Sequence, residues 1–406
     1  MSTIVLKFGG TSVATTDLIK SAASIVKKEY DAGNNLAVVV SAMAGTTNSL
    51  INYVKEIDSS IDIEYDVVVS SGEQVTSGLM SMALNKIGVP SRSWLGWQLP
   101  ILTSGPHRNS LIEKINVDKI IEDFNEKKVA VLAGFQGLSA EGRITTIGRG
   151  GSDNTAVFLA SALNADRCDI YTDVDGVYTS DPKITPKVKK LNKVSYEEMI
   201  EMASQGARVL QTASVESAMS KNVSVQVRST FKPNEKGTEI SIDGEAEILR
   251  AVTGVAYSKD EAKITIIDLV DEPGIAAKIF KTLSDDSINV DMIVQNNFIE
   301  RKMTNLTFTI PMGDLEKSIF ILDKLKGQMD FSRIISEDNL SKVSIIGSGM
   351  RNQPGIAAKM FQCLSEQKIN IEVISTSEIK VSVLIDKTRT EEAVRSLHDT
   401  FKLDNI

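Results

Sequence analysis

The sequence predicts an α/β protein, in which a largely parallel sheet with helices on both faces precedes two smaller βαββαβ units. Three observations support this fold class. Short apolar strands alternate with amphipathic helices over roughly the first 240 residues. Several of these strands end in small polar loops, the place where parallel sheets bind ligands. Farther along the chain, the segment Pro273–Lys278 recurs unchanged as Pro354–Lys359, which indicates a structural duplication.

Composition excludes several classes of protein. The chain has 406 residues, 42% of them hydrophobic and 24% charged, which is typical of a globular protein with more than one domain. The net charge of −8 argues against nonspecific binding of nucleic acid. No apolar run approaches the roughly 20 residues of a membrane helix, and the N-terminal sequence lacks the features of a signal peptide. The two cysteines fit a reducing compartment, and two histidines without a Cys/His cluster exclude the usual zinc patterns. We therefore expect a cytoplasmic protein.

Local patterns predict each element of the N-terminal region in turn. The β-branched run Ile4–Phe8 predicts a strand that ends at Gly9 and Gly10. Apolar residues from Leu18 to Val26 recur at helical spacing, and Gly33 ends that helix. Further apolar runs predict buried strands that each lead into a polar loop: Leu36–Val40, Val67–Val69, Val129–Ala133 and Cys168–Tyr171.

The C-terminal region follows a βαββαβ plan twice. In the first copy the strands and helices are predicted at Lys263–Leu269, Pro273–Asp285, Val290–Gln295, Asn305–Ile310, Asp314–Lys326 and Phe331–Ser336. The second copy begins at Lys342 and stops after its second helix, near Phe401, so its fourth strand is missing. Because a missing strand exposes a sheet edge, we expect Ala251–Tyr257 to pair with this copy. The first unit (262–337) is then an insertion within the second (250–258 and 341–406), and residues 1–245 form the N-terminal domain.

Two glycine-rich turns are candidates for binding phosphate, although the chain has no P-loop sequence. Lys7 ends the first predicted strand, and the backbone N–H groups of Gly9 and Gly10 can approach an anion beside the next helix. A tight turn with a solvated lysine is the alternative. The second turn, Gly148–Asn154, places an arginine between glycines, ahead of a helix that we expect Ser152 or Asp153 to cap. The alternative is a flexible loop followed by an ordinary N-cap.

Polar side chains follow other predicted strands at the same edge of the sheet. Thr47 comes after the loop at Ser41, and Glu73 comes after Val67–Val69. Hydroxyl groups and a carboxylate suit the charged groups of an amino acid, although capping of the next helix explains them as well. The turn from Thr172 to Tyr178 is rich in aspartate, which suits a nucleotide, a cation or a plain turn.

Taken in order, these motifs resemble the signature sequences of the aspartokinases, a family with the amino-acid-kinase fold. The resemblance covers nearly the whole chain, because the duplicated region is similar to the tandem ACT domains of that family. It implies an N-terminal amino-acid-kinase-like αβα sandwich followed by two ferredoxin-like ACT units. The motifs that carry it are Lys7–Ser12, Val40–Met43, Ser71–Glu73, Gly134–Gly137, Gly148–Asp153 and Tyr171–Tyr178.

The resemblance also implies a reaction, which is ATP-dependent phosphorylation of the L-aspartate side chain to 4-phospho-L-aspartate. This reaction begins the synthesis of lysine, methionine and threonine. Lys7 would lie against the transferring phosphoryl group, and Asp153 would orient it. Mg²⁺ would neutralise developing charge, and no general base is needed because the attacking carboxylate is already ionised.

The remaining site residues implied by the resemblance fall into three sets. Phosphates would contact Gly9, Gly10 and Ser41. Aspartate would contact Thr47, Glu73, Arg149, Gly150, Gly151 and Ser152, with Glu73 at its ammonium group and Arg149 at a carboxylate. The nucleotide would contact Thr172, Asp173, Tyr178 and Arg208, of which Arg208 stands where the family commonly has lysine.

Each C-terminal repeat also offers a candidate site for an amino-acid effector. The free N–H groups of a helix that starts at Pro-Gly can receive an α-carboxylate, although a plain turn has the same sequence. The resemblance implies lysine, threonine or both as inhibitors, bound where repeats pair in at least a homodimer. The candidates are Asp271, Gly274, Ile275, Ala276, Asn289 and Gln295 in the first repeat, and Asn352, Gly355, Ile356, Asn370, Thr376 and Glu378 in the second.

Two other functions compete with an aspartokinase. One is a kinase of the same fold that acts on glutamate, acetylglutamate, carbamate or a nucleoside monophosphate. The tandem repeat and the presence of both Ser71-Gly72-Glu73 and Arg149 argue against it. The other is an amino-acid sensor without catalysis, which the intact Lys7, Arg149 and Asp153 disfavour. Gly347 and Gly349 follow a predicted strand but lack the third glycine of a dinucleotide site.

Overall fold

The structure is a computed structural model, and it describes residues 1–148, 150–206, 209–242, 251–298, 303–327 and 329–405. These residues fold as two compact units. Unit 1 comprises the described residues within Met1–Val177, Lys190–Ser204 and Arg208–Ile248, and unit 2 those within Tyr178–Lys189, Gln205–Ala207 and Leu249–Ile406. The predicted α/β class is confirmed. Tyr178–Lys189 belongs to unit 2, although the predicted N-terminal domain, 1–245, includes it.

Unit 1 contains two sheets. The main sheet has the strand order β10-β12-β11-β9-β1-β2-β6-β3, in which β1 lies parallel to both β2 and β9. The smaller sheet has the order β5-β4-β7-β8. The elements are β1 (Thr3–Phe8), α1 (Thr16–Asp31), β2 (Asn35–Val40), α2 (Thr46–Ile57), α3 (Asp62–Val69), α4 (Ser71–Lys86), β3 (Ser91–Trp94), β4 (Ile101–Ser104), β5 (Leu111–Ile115), α5 (Asp118–Asn125), β6 (Val129–Ala133), β7 (Gln136–Leu138), β8 (Ile144–Thr146), α6 (Gly151–Ala162), β9 (Arg167–Thr172), β10 (Lys193–Ser195), α7 (Tyr196–Ser204), α8 (Thr212–Lys221), β11 (Val225–Ser229) and β12 (Thr238–Ser241).

The central strand β1 shows how the main sheet is covered on both faces. Its residues Ile4, Leu6 and Phe8 are fully buried in the core that α1 and α4 form on one face. The alternation of side chains along a strand directs Lys7 to the other face, where α6 lies. A strand covered on both faces is expected to be apolar throughout, so a buried lysine in this position marks a special site.

One predicted strand is wrong. Val67–Val69 forms the last turn of helix α3, and α4 begins two residues later at Ser71. A short apolar run does not distinguish a buried strand from a buried helix, and here Asp66 and Val69 are buried at helical spacing. Glu73 therefore lies in the first turn of a helix and not at the end of a strand.

Unit 2 is built on one sheet with the strand order β14-β15-β13-β16-β18-β17. Two long strands run through both repeats. Gly254–Ser258 of β13 pairs antiparallel with the end of β16, and the later part of β13 pairs with β15 and with the start of β16. The elements are β13 (Gly254–Val270), α9 (Ile275–Asp285), β14 (Asp291–Phe298), β15 (Met303–Ile310), α10 (Leu315–Leu325), β16 (Arg333–Ile346), α11 (Ile356–Glu366), β17 (Val373–Thr376), β18 (Lys380–Asp386) and α12 (Thr390–Thr400).

The pairing of Gly254–Ser258 places the segment that the sequence analysis assigns to the second repeat beside Lys342–Ile346. Each repeat has its own apolar core. Between them, the buried Lys342 lies 3.1 Å from Glu261 and 2.6 Å from Asp291. No described helix in either unit is both long enough and apolar enough to cross a membrane.

Candidate functional site

A cavity in unit 1 collects many of the predicted catalytic and substrate residues. Its volume is about 260 Å³, and it lies where β1 and β2 end and α6 begins. This is the edge of a parallel sheet at which ligands bind. The cavity is lined by Lys7, Gly10, Ser41, Ala42, Met43, Ala44, Gly45, Thr47, Glu73, Phe135, Gly150, Gly151, Ser152 and Asp153.

An ion pair between Lys7 and Asp153 forms the charged wall of this cavity. The Nζ atom of Lys7 lies 2.5 Å from Oδ1 of Asp153, and the two side chains are 9% and 12% exposed. Lys7 comes from the end of β1 and Asp153 from the first turn of α6. Because a buried charge is costly without a partner, the carboxylate fixes where the ammonium group lies. The ammonium group and the helix N-terminus both favour an anion in the cavity.

The turn after β1 is tied to the neighbouring strands through its backbone. The N–H of Gly9 donates to the carbonyl of Tyr171 at 3.0 Å, and the carbonyl of Gly10 accepts from the N–H of Ala44 at 3.2 Å. A Cβ at residue 10 would lie only 3.0 Å from the carbonyl oxygen of Ala42. Gly10 and Ser41 both line the cavity, and a Cβ at Gly9 would lie 3.5 Å from Nζ of Lys7. The close approach of backbone to the cavity thus depends on glycine.

Helix α6 begins at Gly151, directly after the second glycine-rich turn. Gly150 has a φ of 75° and occupies the N-cap position without a capping side chain, so the prediction that Ser152 or Asp153 caps this helix is wrong. Glycine takes the left-handed backbone at this position without strain. Both predicted capping side chains are free to line the cavity instead.

Glu73 reaches the cavity from the first turn of α4. Its side chain is 3% exposed, and its Oε1 accepts from the N–H of Ala42 at 3.1 Å. Its Oε2 is buried without a hydrogen-bond partner among the described atoms. Burial raises the pKa of Glu73 to about 7, against the smaller opposing effect of the Ala42 N–H. The site therefore holds a carboxylate that is ready to pair with a cationic group of a ligand.

The predicted nucleotide residues do not line this cavity, as far as the structure describes them. In unit 1, Oγ1 of Thr172 donates to Oδ1 of Asp173 at 3.1 Å. Tyr178 belongs to unit 2. Arg149 and Arg208, which are predicted to bind aspartate and nucleotide, lie outside the described residues.

Sequence reasoning missed Phe135 as a site residue. Phe135 lines the cavity and has a φ of 66°, which is rare for a bulky side chain. Its N–H donates to Oγ1 of Thr155 at 3.2 Å, and its carbonyl accepts from the N–H of Ile147 at 2.9 Å. Its ring also excludes a side chain at residue 151, because a Cβ there would lie 2.7 Å from Cδ2. In the sequence, the feature that could have indicated Phe135 is its place in Gly134-Phe135-Gln136-Gly137, where a bulky residue lies between two glycines.

Most of the predicted effector residues of the first repeat lie at or beside the start of α9 in unit 2. Gly274 has a φ of 95° and occupies the N-cap position. The Nε2 atom of Gln295 on β14 donates to Oδ1 of Asp271 at 3.5 Å, which brings the strand and the helix start together. Ile275 and Ala276 form the start of α9, and Asn289 is exposed just before β14.

The second repeat presents an equivalent surface at the start of α11. Gly355 has a φ of 91°, and Ile356 is the first residue of that helix. The Nδ2 atom of Asn370 donates to Glu372 at 2.9 Å. The remaining candidates are Thr376, which is exposed at the end of β17, Glu378, which lies 2.9 Å from Nε of Arg351, and Asn352, whose side chain lies outside the described residues.

Comparison with known protein families gives two matches. Residues 2–229 match the amino acid kinase family, and residues 264–324 and 343–401 match the ACT domain. The aspartate kinase of Pseudomonas putida is 48% identical over 100% of this chain and 98% of its own length. The aspartokinase of Corynebacterium glutamicum is 41% identical over 99% of this chain and 97% of its own length.

Solved structures of an aspartokinase also match nearly the whole of this chain. The crystal structure of E. coli aspartokinase III in complex with aspartate and ADP matches with a TM-score of 0.81 and 26% identity, over 98% of this chain and 99% of that one. The structure of the same enzyme in complex with lysine and aspartate matches with a TM-score of 0.78 and 26% identity, over 98% and 99% of the two chains.

The packing of α4 against the cavity loop predicts opposite effects of alanine at two glycines of one helix. A Cβ at Gly72 would lie 2.8 Å from Cβ of Ala42, whereas a Cβ at Gly78 would meet nothing within 4 Å. We expect Gly72→Ala to lower the free energy of unfolding by about 1–3 kcal/mol through overpacking. Gly78→Ala is the matched control and should raise it by about 0.5–1 kcal/mol. Urea denaturation of both variants measures the difference, and equal effects would contradict this packing.

Proposed function

We propose that this chain, which belongs to the aspartokinase family, forms 4-phospho-L-aspartate from L-aspartate and ATP in the cavity around Lys7. Aspartate kinase activity and ACT-type allosteric regulation follow from the family relationship. The assignment of the reaction to this cavity rests on one observation, the convergence of the Lys7–Asp153 ion pair and the buried Glu73 on one space.

In the proposed reaction, a side-chain carboxylate oxygen of aspartate attacks the γ-phosphorus of ATP, and the bond to the β-phosphate oxygen breaks as ADP leaves. The carboxylate is ionised near neutral pH, so no side chain has to remove a proton. The ammonium group of Lys7 faces the transferring oxygens and offsets their growing charge, while Asp153 holds it in position. The turns at Gly9, Gly10 and Ser41 cradle phosphate oxygens.

We propose that different side chains recognise the different charged groups of aspartate. Glu73 takes the ammonium group, and Arg149 takes a carboxylate as a planar bidentate donor. Thr47 and Ser152, which both line the cavity, supply hydroxyl groups, with Gly150 and Gly151 keeping the backbone near the substrate. The proposed nucleotide residues are Thr172, Asp173, Tyr178 and Arg208.

Mg²⁺ is proposed to enter with the nucleotide. No three His, Cys, Asp or Glu side chains form a metal cluster among the described residues. A magnesium ion bound mainly through phosphates and water suits such a site, because Mg²⁺ dehydrates reluctantly and seldom needs a cage of protein ligands. The ion would supply charge neutralisation at the phosphates, in addition to that of Lys7.

We further propose that unit 2 makes the enzyme responsive to lysine, threonine or both, in a cytoplasmic homodimer or larger assembly joined through the ACT repeats. The domain limits 1–245, 262–337 and 250–258 with 341–406 belong to the same proposal, except that Tyr178–Lys189 folds with unit 2. Support comes from the equivalent helix starts of the two repeats and from the lysine complex of E. coli aspartokinase III. The reaction would then lie at the start of lysine, threonine and methionine synthesis.

Removal of Lys7 tests the reaction and its site together. We expect Lys7→Ala to lower turnover by at least about 10³-fold, because the positive charge beside the phosphoryl group is lost. The assay is ATP-dependent formation of the hydroxamate with aspartate, with glutamate and with buffer alone. Lys20→Ala is the control, since Lys20 pairs with Asp17 on an exposed face of α1.

Near-normal turnover of Lys7→Ala would contradict the assigned role. Turnover of the wild type on glutamate but not aspartate would indicate a different kinase of this fold. No turnover on either substrate would favour a sensor.

The raised pKa of Glu73 predicts how aspartate binding varies with pH. Below pH 7 Glu73 is mostly protonated and has no charge to offer the ammonium group, so the KM for aspartate should rise about tenfold per pH unit. Above pH 7 the carboxylate is ionised and KM should level off. Steady-state kinetics from about pH 6 to pH 8 at saturating ATP measure this. Glu73→Gln should give a high KM that no longer depends on pH, and a parallel pH dependence in that variant would contradict the role.

The equivalent asparagines of the two repeats test the effector sites. We expect Asn289→Ala or Asn370→Ala to raise the lysine or threonine concentration for half inhibition about tenfold or more, because hydrogen bonds to the effector are lost. Activity is titrated with each amino acid alone and with both together. Activity without effector is the internal control and should stay unchanged, since both positions lie outside unit 1. Unchanged inhibition in both variants would reject the proposed sites.

A further inference from the structure

We propose that Asp66 is a positioning residue for the glycine-rich turn between β8 and α6, and so for aspartate binding. The inference deepens the proposed function, because it rests on the assignment of that turn to aspartate. Asp66 lies on α3, directly before Val67–Val69, the segment that the sequence suggested to be a strand. It does not line the cavity, and no motif points to it.

The carboxylate of Asp66 joins three separate segments of unit 1. It is fully buried, and its Oδ1 accepts from the hydroxyl group of Thr146 at 2.5 Å. Its Oδ2 accepts from Nδ1 of His107 at 2.6 Å. The N–H of Arg108 donates to both carboxylate oxygens, at 3.1 and 3.2 Å. Helix α3, the loop before β5 and the last residue of β8 are therefore held by one side chain.

The loop before β5 is strained, and Asp66 stabilises it. Arg108 has a φ of 66°, a backbone region that costs free energy for a residue with a side chain. Its guanidinium group is held as well, because Nε lies 2.8 Å from Asp62 and the group stacks on the ring of Tyr65. Strain of this kind persists only where several contacts fix the backbone.

This loop and Thr146 define the base of the glycine-rich turn. The N–H of Ser110 donates to the carbonyl of Thr146 at 3.0 Å. Two residues later, a Cβ at Gly148 would collide with the side-chain oxygen of Asn109. The carbonyl of Gly148 accepts from the N–H of Gly151 at 2.9 Å. The position of Gly148 thus depends on that of the loop, which Asp66 holds.

The turn reaches the cavity within a few residues of this base. Gly150, Gly151 and Ser152 line the cavity, and the N–H of Ile147 donates to the carbonyl of Phe135, which lines the cavity as well. A shift of the base therefore moves the residues proposed to contact aspartate, while the turn at Gly9 and Gly10 is held by other bonds. Small displacements of positioning groups cost large factors in substrate binding and turnover.

The test separates a positioning role from ordinary core stability. Asp66→Asn keeps the size of the side chain but replaces one acceptor with a donor, opposite the existing donors of His107 and Arg108. We expect the KM for aspartate to rise about tenfold or more, while the KM for ATP changes less than about twofold. Asp123→Asn is the matched control, because Asp123 is also fully buried on a helix of unit 1 and accepts from Nε1 of Trp94 at 2.7 Å. It should change neither KM.

Thr146 provides a second pair of variants. Thr146→Val removes the hydroxyl group and should raise the KM for aspartate, whereas Thr146→Ser keeps that group and should restore it. The midpoint temperature of thermal unfolding is measured for all variants in parallel. The inference is overturned if Asp66→Asn raises both KM values equally. It is also overturned if Asp66→Asn lowers the midpoint temperature and changes neither KM, the result expected of Asp123→Asn.

A further variant distinguishes this inference from the proposed function. If Arg149→Ala leaves the KM for aspartate unchanged, the turn does not bind aspartate and the site assignment fails. If Arg149→Ala raises this KM and Asp66→Asn does not, the assignment stands and the positioning role of Asp66 is rejected.

Discussion

A lysine at the end of a central parallel strand keeps its charge in the protein interior only where a carboxylate meets it. In this protein Asp153 does so from the first turn of α6, at 2.5 Å from Lys7. The pair fixes the position of α6 relative to β1, because neither charge can move away without leaving the other uncompensated. The glycine turns, the loop at Ser41 and the start of α4 are arranged around this fixed point.

The site requires glycine at several positions because its strands, loops and helices pack too closely there to leave room for a side chain. Residues 10, 72 and 151 each face a neighbouring atom at 2.7–3.0 Å from where a Cβ would stand. The same close packing also affects the charge of Glu73. Its side chain is buried, which raises its pKa and leaves one oxygen without a partner in the described structure. A buried carboxylate oxygen without a hydrogen-bond partner costs free energy, so a cationic ligand group is its natural partner.

The fold class and most strands could be predicted from the sequence because both depend on local periodicity. The expected strand at Ile4–Phe8 is Thr3–Phe8 in the structure. The error at Val67–Val69 arose because three apolar residues fit either a strand or a helix, and only burial at helical spacing decides between them. For the site, Lys7 was indicated by the glycines that follow it, and Glu73 by its place after the apolar run Val67–Val69. Phe135 and Asp66 were not predicted as site residues, because their roles depend on contacts with other segments of the chain, Phe135 with Thr155 and Asp66 with Thr146.

Contacts between distant segments also explain why a single domain boundary in the sequence does not separate the two units. Tyr178–Lys189 lies within the N-terminal half of the chain but folds with unit 2. There the fully buried His398 on α12 forms a 3.0 Å hydrogen bond with Thr179, and the N–H of Val255 donates to the carbonyl of Thr179 at 2.8 Å. Burial lowers the pKa of His398, so the imidazole stays neutral and serves structure. Only the hydrogen bond with Thr179 shows that this histidine anchors a segment more than half the chain away.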